Sequence, residues 1–154
     1  MTLPAPRRLT PEDAPATLAL IRAEFAFMDG RIDPPSSMHR LSGATILDQN
    51  EAGEVWVIGN PPCACIFLTP QADSLYLGKL AVAASARGTG LARRLIALAE
   101  TRAQSLGLPA LELSVRVELT ENHAAFRALG FVETARTAHK GYARPTSVTF
   151  RRPV

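Results

Sequence analysis

Between residues 85 and 95 the sequence reads SARGTGLARRL, a basic, glycine-punctuated turn running straight into a good helix start. A helix start carries unpaired backbone N–H groups and the positive end of the helix dipole, which together receive an anion. Gly88 and Gly90 remove side chains where a ligand approaches the main chain, so consecutive amides can converge on phosphate oxygens. Arg87 adds a charge-assisted contact. A Walker A loop needs four residues between its glycines and a following Lys-Ser/Thr pair, and neither occurs here. A dinucleotide fingerprint needs a third glycine where Arg93 stands, so that reading fails as well. Plain loop geometry is the alternative, because glycine-rich turns between strand and helix also serve packing.

The other reactive side chains are sparse. Tyr76 and Tyr142 are the only tyrosines, and an unperturbed phenol, with pKa about 10, is a poor base but a serviceable acid or water-orienting group. His123 and His139 lack metal-ligand spacing and read as solvated, whereas His39 stands in the loop that could meet the substrate. Cys63 and Cys65 stand two apart behind Pro61-Pro62, poorly placed to bridge each other, and read as reduced thiols. Asp29 and Asp33 can attract a cationic amine and Arg31 or Arg40 a carboxylate, or the stretch is simply a solvated mixed-charge loop.

The elements that must position these groups follow from pattern. Thr10-Pro11-Glu12-Asp13 caps a helix that should run to about Phe27, behind a short strand near Arg7 to Leu9. Residues 28–43 read as a loop with one short helix from Pro35 to Leu41. Strands are predicted at Glu54 to Gly59, Ala64 to Thr69 and Ser74 to Val82, and Gly78 inside the third marks a bulge, a close backbone approach or a packing need. From Gly90 to Leu106, Ala92, Leu95, Ile96, Ala99, Ala103 and Leu106 form an apolar helical stripe. Ala110 to Val115 is a buried strand, Asn122 to Leu129 a short helix, and Phe131 to Thr137 and Ser147 to Arg151 are alternating strands. By the two-residue period of a strand, Tyr76 shares a face with Gly78, Leu80 and Val82.

In this context the turn resembles the pyrophosphate loop Q/R-x-x-G-x-G/A of the GCN5-related N-acetyltransferase (GNAT) family, matched by Arg87, Gly90 and Ala92. Leu80-Ala81-Val82 is similar to the end of the family's fourth strand, and Thr120 to Phe131 to its second cofactor-contacting segment, often ending Y-x-x-L-G-F. The resemblance covers residues 74–135; residues 1–70 fit the fold and carry no motif. It implies a mixed α/β fold, a mostly antiparallel twisted sheet of six to seven strands with about four helices, and acetyl-CoA as co-substrate. It places Leu80, Ala81, Val82, Arg87, Gly88, Thr89, Gly90, Leu91, Ala92, Asn122 and Phe126 at the cofactor. Transfer of an acetyl or other short acyl group to a primary amine of a small molecule or peptide, by direct attack in a ternary complex, is the activity implied. Two departures stand out. The usual tyrosine acid is replaced by Phe126, which packs and cannot donate a proton, and the neighbourhood of the carboxylate base holds Tyr76, the one catalytic candidate. Asn122 either contacts the pantetheine arm or caps its helix. An acyl-CoA-binding regulatory or interaction protein with little turnover is the rival reading.

Composition agrees with one domain over residues 1–154, since a chain of this length buries roughly 70% of its unfolded surface. Apolar residues make up 47% and charged residues 20%, ordinary for a globular protein. The formal charge of +3 is scattered and lacks an aromatic platform, against nucleic-acid binding. No stretch approaches the roughly 20 apolar residues of a membrane span, and the start of the chain has no apolar leader core, so a cytoplasmic protein without bound metal is expected. A homodimer is compatible with these features.

Overall fold

The computed structural model describes residues 4–154; the first three residues of the chain lie outside it. The strands are β1 (Arg7–Arg8), β2 (Glu54–Ile58), β3 (Ala64–Pro70), β4 (Leu75–Val82), β5 (Ala110–Arg116), β6 (Val132–Thr137) and β7 (Ser147–Pro153). They form one sheet in the order β1-β2-β3-β4-β5-β7-β6. Every neighbouring pair is antiparallel except β4 and β5. With α1 (Ala14–Phe25), α2 (Gly43–Ala52), α3 (Leu91–Ser105) and α4 (Thr120–Ala128), this is the mixed architecture expected.

The strand period distributes side chains to two cores. Ala64, Ile66 and Leu68 of β3 face one side with Leu95, Ile96 and Ala99 of α3, while Cys65 and Phe67 face the other with Ile21 of α1 and Ile46 of α2. The predicted α3 stripe is buried at Leu95, Ile96, Ala99 and Ala103, joined by Leu91, but Leu106 falls beyond the helix end and is exposed. The first helix gives way at Phe25 to a 3₁₀ turn, Ala26–Met28, and the short helix near Pro35 to Leu41 is a 3₁₀ turn at Ser37–Arg40. Helix α2 was not anticipated. Its start is a reciprocal cap: the Thr45 amide donates to Ser42 Oγ at 3.2 Å, and the Ser42 amide donates to Thr45 Oγ1 at 2.8 Å. Thr45 does here what Glu or Gln does in the usual capping box, and a single fully buried side chain, Ile46, gives the helix almost no apolar period.

Two irregularities in β4 shape the molecule's cleft. Cys65 pairs with Ala81 and Phe67 with Gly78, so two steps on β3 oppose three on β4. The extra residue bulges the strand beside Lys79, whose φ of 50° is the one positive value at a non-glycine among the described residues. Left-handed backbone costs an L-residue roughly 1–2 kcal/mol. The buried Cys65 thiol donates to the Lys79 carbonyl at 3.3 Å and braces the bulge. The bulge also corrects the face assignment made from a strict two-residue period. Leu80 and Val82 pack into the same core as Leu75 and Leu77, so Tyr76 and Gly78 lie on the opposite face from them. Gly78 itself is not crowded: an added Cβ would meet only Tyr76, at 3.9 Å.

The second irregularity is a splay. β4 pairs with β5 only at Leu75–Leu111 and Tyr76–Glu112, whereas β5 pairs with β7 along all of Ala110–Arg116. Held by β7, β5 parts from β4, and the β4 edge from Leu77 onward turns toward open space.

Candidate active site

A cleft of about 840 Å³ fills the splay, within the ordinary range for a small-molecule site. Leu77 to Val82 of β4 and Leu113 to Arg116 of β5 form its two sides. Most of the rest of the lining comes from α1 and the segment after it, from α4, and from His139 in the β6–β7 connection, with Gln49, Phe67, Thr69, Arg87 and Ser147 adding to it.

The glycine turn meets the cleft through Arg87, while Gly88 to Ala92 are not part of its lining. The chain leaves β4, makes a 3₁₀ turn at Ala84–Ala86 and enters α3 through Gly88 and Gly90, with φ of 77° and 81°. An added Cβ at either glycine would meet nothing within 4 Å, so backbone conformation rather than crowding requires glycine here. Thr89 Oγ1 donates to the Ala86 carbonyl at 2.5 Å and tightens the turn. The first intrahelical donor is Arg94, to the Gly90 carbonyl at 3.1 Å, and no side chain caps the helix. Among the described residues the amides of Gly90, Leu91, Ala92 and Arg93 therefore have no partner, which is the donor set a pyrophosphate needs. Arg87 is ion-paired to Glu24 of α1, and both line the cleft.

Further along, Leu80 and Val82 are half-buried over the α3 core and Ala81 is buried on the α1 side, and all three line the cleft. Asn122 and Phe126, one turn apart on α4, present the same face to it. Phe126 packs edge-on against Phe131, with ring centroids 5.8 Å apart, as expected of a packing aromatic. The capping alternative for Asn122 fails, because the helix begins at Thr120 and Leu119 is its cap residue. Tyr76 lines the cleft on the face that Gly78 shares.

Several residues leave the site. Tyr142 donates its hydroxyl to Asp33 Oδ1 at 2.5 Å, tying the β6–β7 connection to the segment after α1, and does not line the cleft. Arg31 pairs with Glu121 at 2.7 Å. His123 is buried rather than solvated: its Nε2 lies 2.9 Å from the Arg116 carbonyl and its ring stacks obliquely on Phe150. His39, at the cleft wall, holds Asp29 at 2.7 Å. Burial pushes the Cys65 thiol up to about 12. Among the described residues no group of three or more His, Cys, Asp or Glu side chains could hold a metal ion.

The cleft's charged lining was not foreseen as a group. Lys79 reaches from the bulge to Ser37 Oγ, 2.7 Å away. Its burial, and then Arg116 and Arg40, hold its pKa below the usual lysine range. Arg116 donates to the carbonyls of Pro34 at 2.6 Å and Pro35 at 3.1 Å. His139, whose Nδ1 is 2.5 Å from Thr146 Oγ1, is held below its ordinary pKa by burial and then by Arg116. The available signal was a lone lysine in the otherwise apolar strand SLYLGKLAV.

A family model described as "Acetyltransferase (GNAT) family" matches residues 19–131. Among solved structures, the chain is similar to Ard1 from Thermoplasma volcanium, with 17% identity, 97% of each chain covered and a TM-score of 0.76. It is also similar to the ribosomal-protein-S18-alanine N-acetyltransferase from Escherichia coli, with 20% identity, 97% of this chain and 92% of that one covered, and a TM-score of 0.71. A chain of the NatC complex bound to Gag peptide and CoA matches at 20% identity over 97% of this chain and 98% of that one, with a TM-score of 0.68. At such identities the structures attest the fold. No curated protein matches the sequence.

Proposed function

The chain belongs to the acetyltransferase (GNAT) family, and we propose that it transfers an acetyl group from acetyl-CoA to a primary amine of a small molecule or peptide by direct attack in a ternary complex. The observation that carries this reading is the β4 edge, released by the splay from β5, lining a cleft that Arg87 also lines. The unpaired amides at the start of α3 follow Arg87 directly in the chain.

Acetyl-CoA supplies an activated thioester and a thiolate leaving group. In this reading Gly88 to Ala92 hold the pyrophosphate through their amides, and Arg87 exchanges Glu24 for phosphate oxygens. Leu80 to Val82 offer main-chain groups to the pantetheine arm and an N–H donor to the thioester oxygen, where charge develops during attack. Asn122 and Phe126 flank that arm from α4. Tyr76 orients the amine or a water that takes its proton. Phe126 carries no proton, and a thiol with pKa of about 8.5 leaves readily with one from water. The reading extends to a cytoplasmic, single-domain enzyme that uses no metal. Among the described residues no helix is long and apolar enough to cross a membrane.

The test is thiol release from acetyl-CoA with a panel of amines. Acceptor-dependent release above hydrolysis supports an enzyme. Tight cofactor binding with no acceptor in the panel supports the rival, a CoA-binding regulatory protein.

A further inference from the structure

The charged lining of the cleft is lopsided. Among the described residues that line it, Arg40, Lys79, Arg87 and Arg116 are the cations and Glu24 is the one carboxylate. Glu24 is taken by Arg87, so the remaining three cations face the cleft uncompensated. Elsewhere the chain pairs its arginines freely: Arg7, Arg31, Arg102, Arg136 and Arg151 each reach a carboxylate. Glu118 and Asp33 do act on Arg116 through space, but Glu118 accepts from the Asp33 amide and Asp33 holds Tyr142, and neither contacts the Arg116 guanidinium.

We propose that the acceptor carries an anionic group, a carboxylate or phosphate, on the same molecule as its amine, and that Lys79, Arg40 and Arg116 hold that group in the cleft. The inference rests on the acetyltransferase reading above and names the substrate class for the same site. Three features support it. Lys79 is a half-buried ammonium with one neutral partner, Ser37 Oγ, and it occupies left-handed backbone that glycine or asparagine would adopt more easily. A residue kept in that conformation against two costs points to a use for its charge. Arg116 gives two of its five N–H donors to the Pro34 and Pro35 carbonyls, which fixes its guanidinium at the cleft wall and leaves other donors and its charge for an anion. Lys79 responds to both Arg40 and Arg116, so the three form one positive field, and an anion among them would relieve their mutual repulsion. The same field disfavours protonation of a nearby amine. In a cleft whose only carboxylate is already paired, it keeps the nucleophile in its free-base form.

The test compares thiol release from acetyl-CoA with matched acceptors: L-amino acids against their carboxamides, and ethanolamine phosphate against ethanolamine. Anionic members are expected to exceed their neutral partners at least tenfold in kcat/KM, and the better of the two series identifies carboxylate or phosphate. Lys79→Met and Arg40→Gln should each erase most of that preference through acceptor KM, with acetyl-CoA affinity unchanged within twofold. Arg40 is exposed in a 3₁₀ turn, so its variant remains informative where Lys79→Met misfolds. Equal or inverted preference, no turnover of any anionic amine by protein that binds acetyl-CoA, or a preference untouched in the folded variants would overturn the proposal. Failure of the wild type to bind acetyl-CoA would instead remove the acetyltransferase reading, and this inference with it.

Discussion

Gly90 is the position where backbone geometry and the proposed pyrophosphate contact meet most sharply. Its φ of 81° starts α3 and aims the free amides, and an added Cβ would touch nothing, so a substitution there perturbs conformation alone. Gly90→Val places a β-branched residue in left-handed backbone, at a cost of about 1–2 kcal/mol. For a chain of this length that lowers Tm by about 3–6 °C. Any relaxation toward negative φ turns at least one amide away, and a hydrogen bond to a charged group contributes about 1.5–3 kcal/mol, so acetyl-CoA affinity should fall about 30-fold. Thermal denaturation reads both effects. With ligand at about 100 times the wild-type Kd, binding adds about 2.7 kcal/mol, and a 30-fold weaker site adds about 0.9. The ligand-induced rise in Tm should drop from about 8 °C to about 3 °C. Gly90→Asn, which tolerates the left-handed region, should keep nearly the full rise. A Val variant that is stabilised by acetyl-CoA as strongly as the wild type would refute the role assigned to these amides.

Phe126→Tyr places a hydroxyl at the cleft wall and should raise kcat about tenfold with acetyl-CoA affinity unchanged if proton delivery from water limits turnover; a constant rate would show that thiolate protonation is not the slow step. Asp13 is buried and accepts two hydrogen bonds from Arg7, at 2.6 and 2.9 Å, and two from Thr10, so Asp13→Asn should cost about 2–3 kcal/mol in chemical denaturation. Arg7 above all holds the Asp13 carboxyl well below the usual carboxylate range. Its contribution is therefore complete above about pH 4 and is lost as pH falls further, so the wild type should lose more stability than the Asn variant between pH 4 and 2, and parallel losses would contradict this. Cys65, buried and with its pKa pushed up to about 12, should resist iodoacetamide in the native protein at pH 8, and mass mapping that finds it alkylated without unfolding would count against the braced bulge.

Most strands and helices α1, α3 and α4 were legible because each rests on local signals. The apolar runs of β2, β3 and β5, and the α3 stripe stopped by Gly107 and Pro109, needed no tertiary information. Helix α2 was not legible, because it buries one residue fully and its cap uses Thr45 where the usual box has Glu or Gln. At the candidate site, the short, regular spacing of Arg87 to Ala92, Leu80 to Val82, Asn122 and Phe126 made them candidates from the sequence, and Leu80 to Val82, Arg87, Asn122 and Phe126 come together on one cleft. The cationic group was missed because Arg40, Lys79 and Arg116 come from three distant segments that meet only once β4 bulges and parts from β5. The bulge also explains the misassigned face of Tyr76: one inserted residue exchanges the two sides of a strand, and a period of two cannot register it.

The central claim is that the cleft between β4 and β5 holds acetyl-CoA with its pyrophosphate on the amides at the start of α3. Isothermal titration of the folded wild-type protein with acetyl-CoA tests it most directly. One equivalent should bind, with the affinity reduced in Gly90→Val and preserved in Gly90→Asn. Folded protein that takes up no acetyl-CoA, or that binds it equally well in all three forms, would contradict the claim.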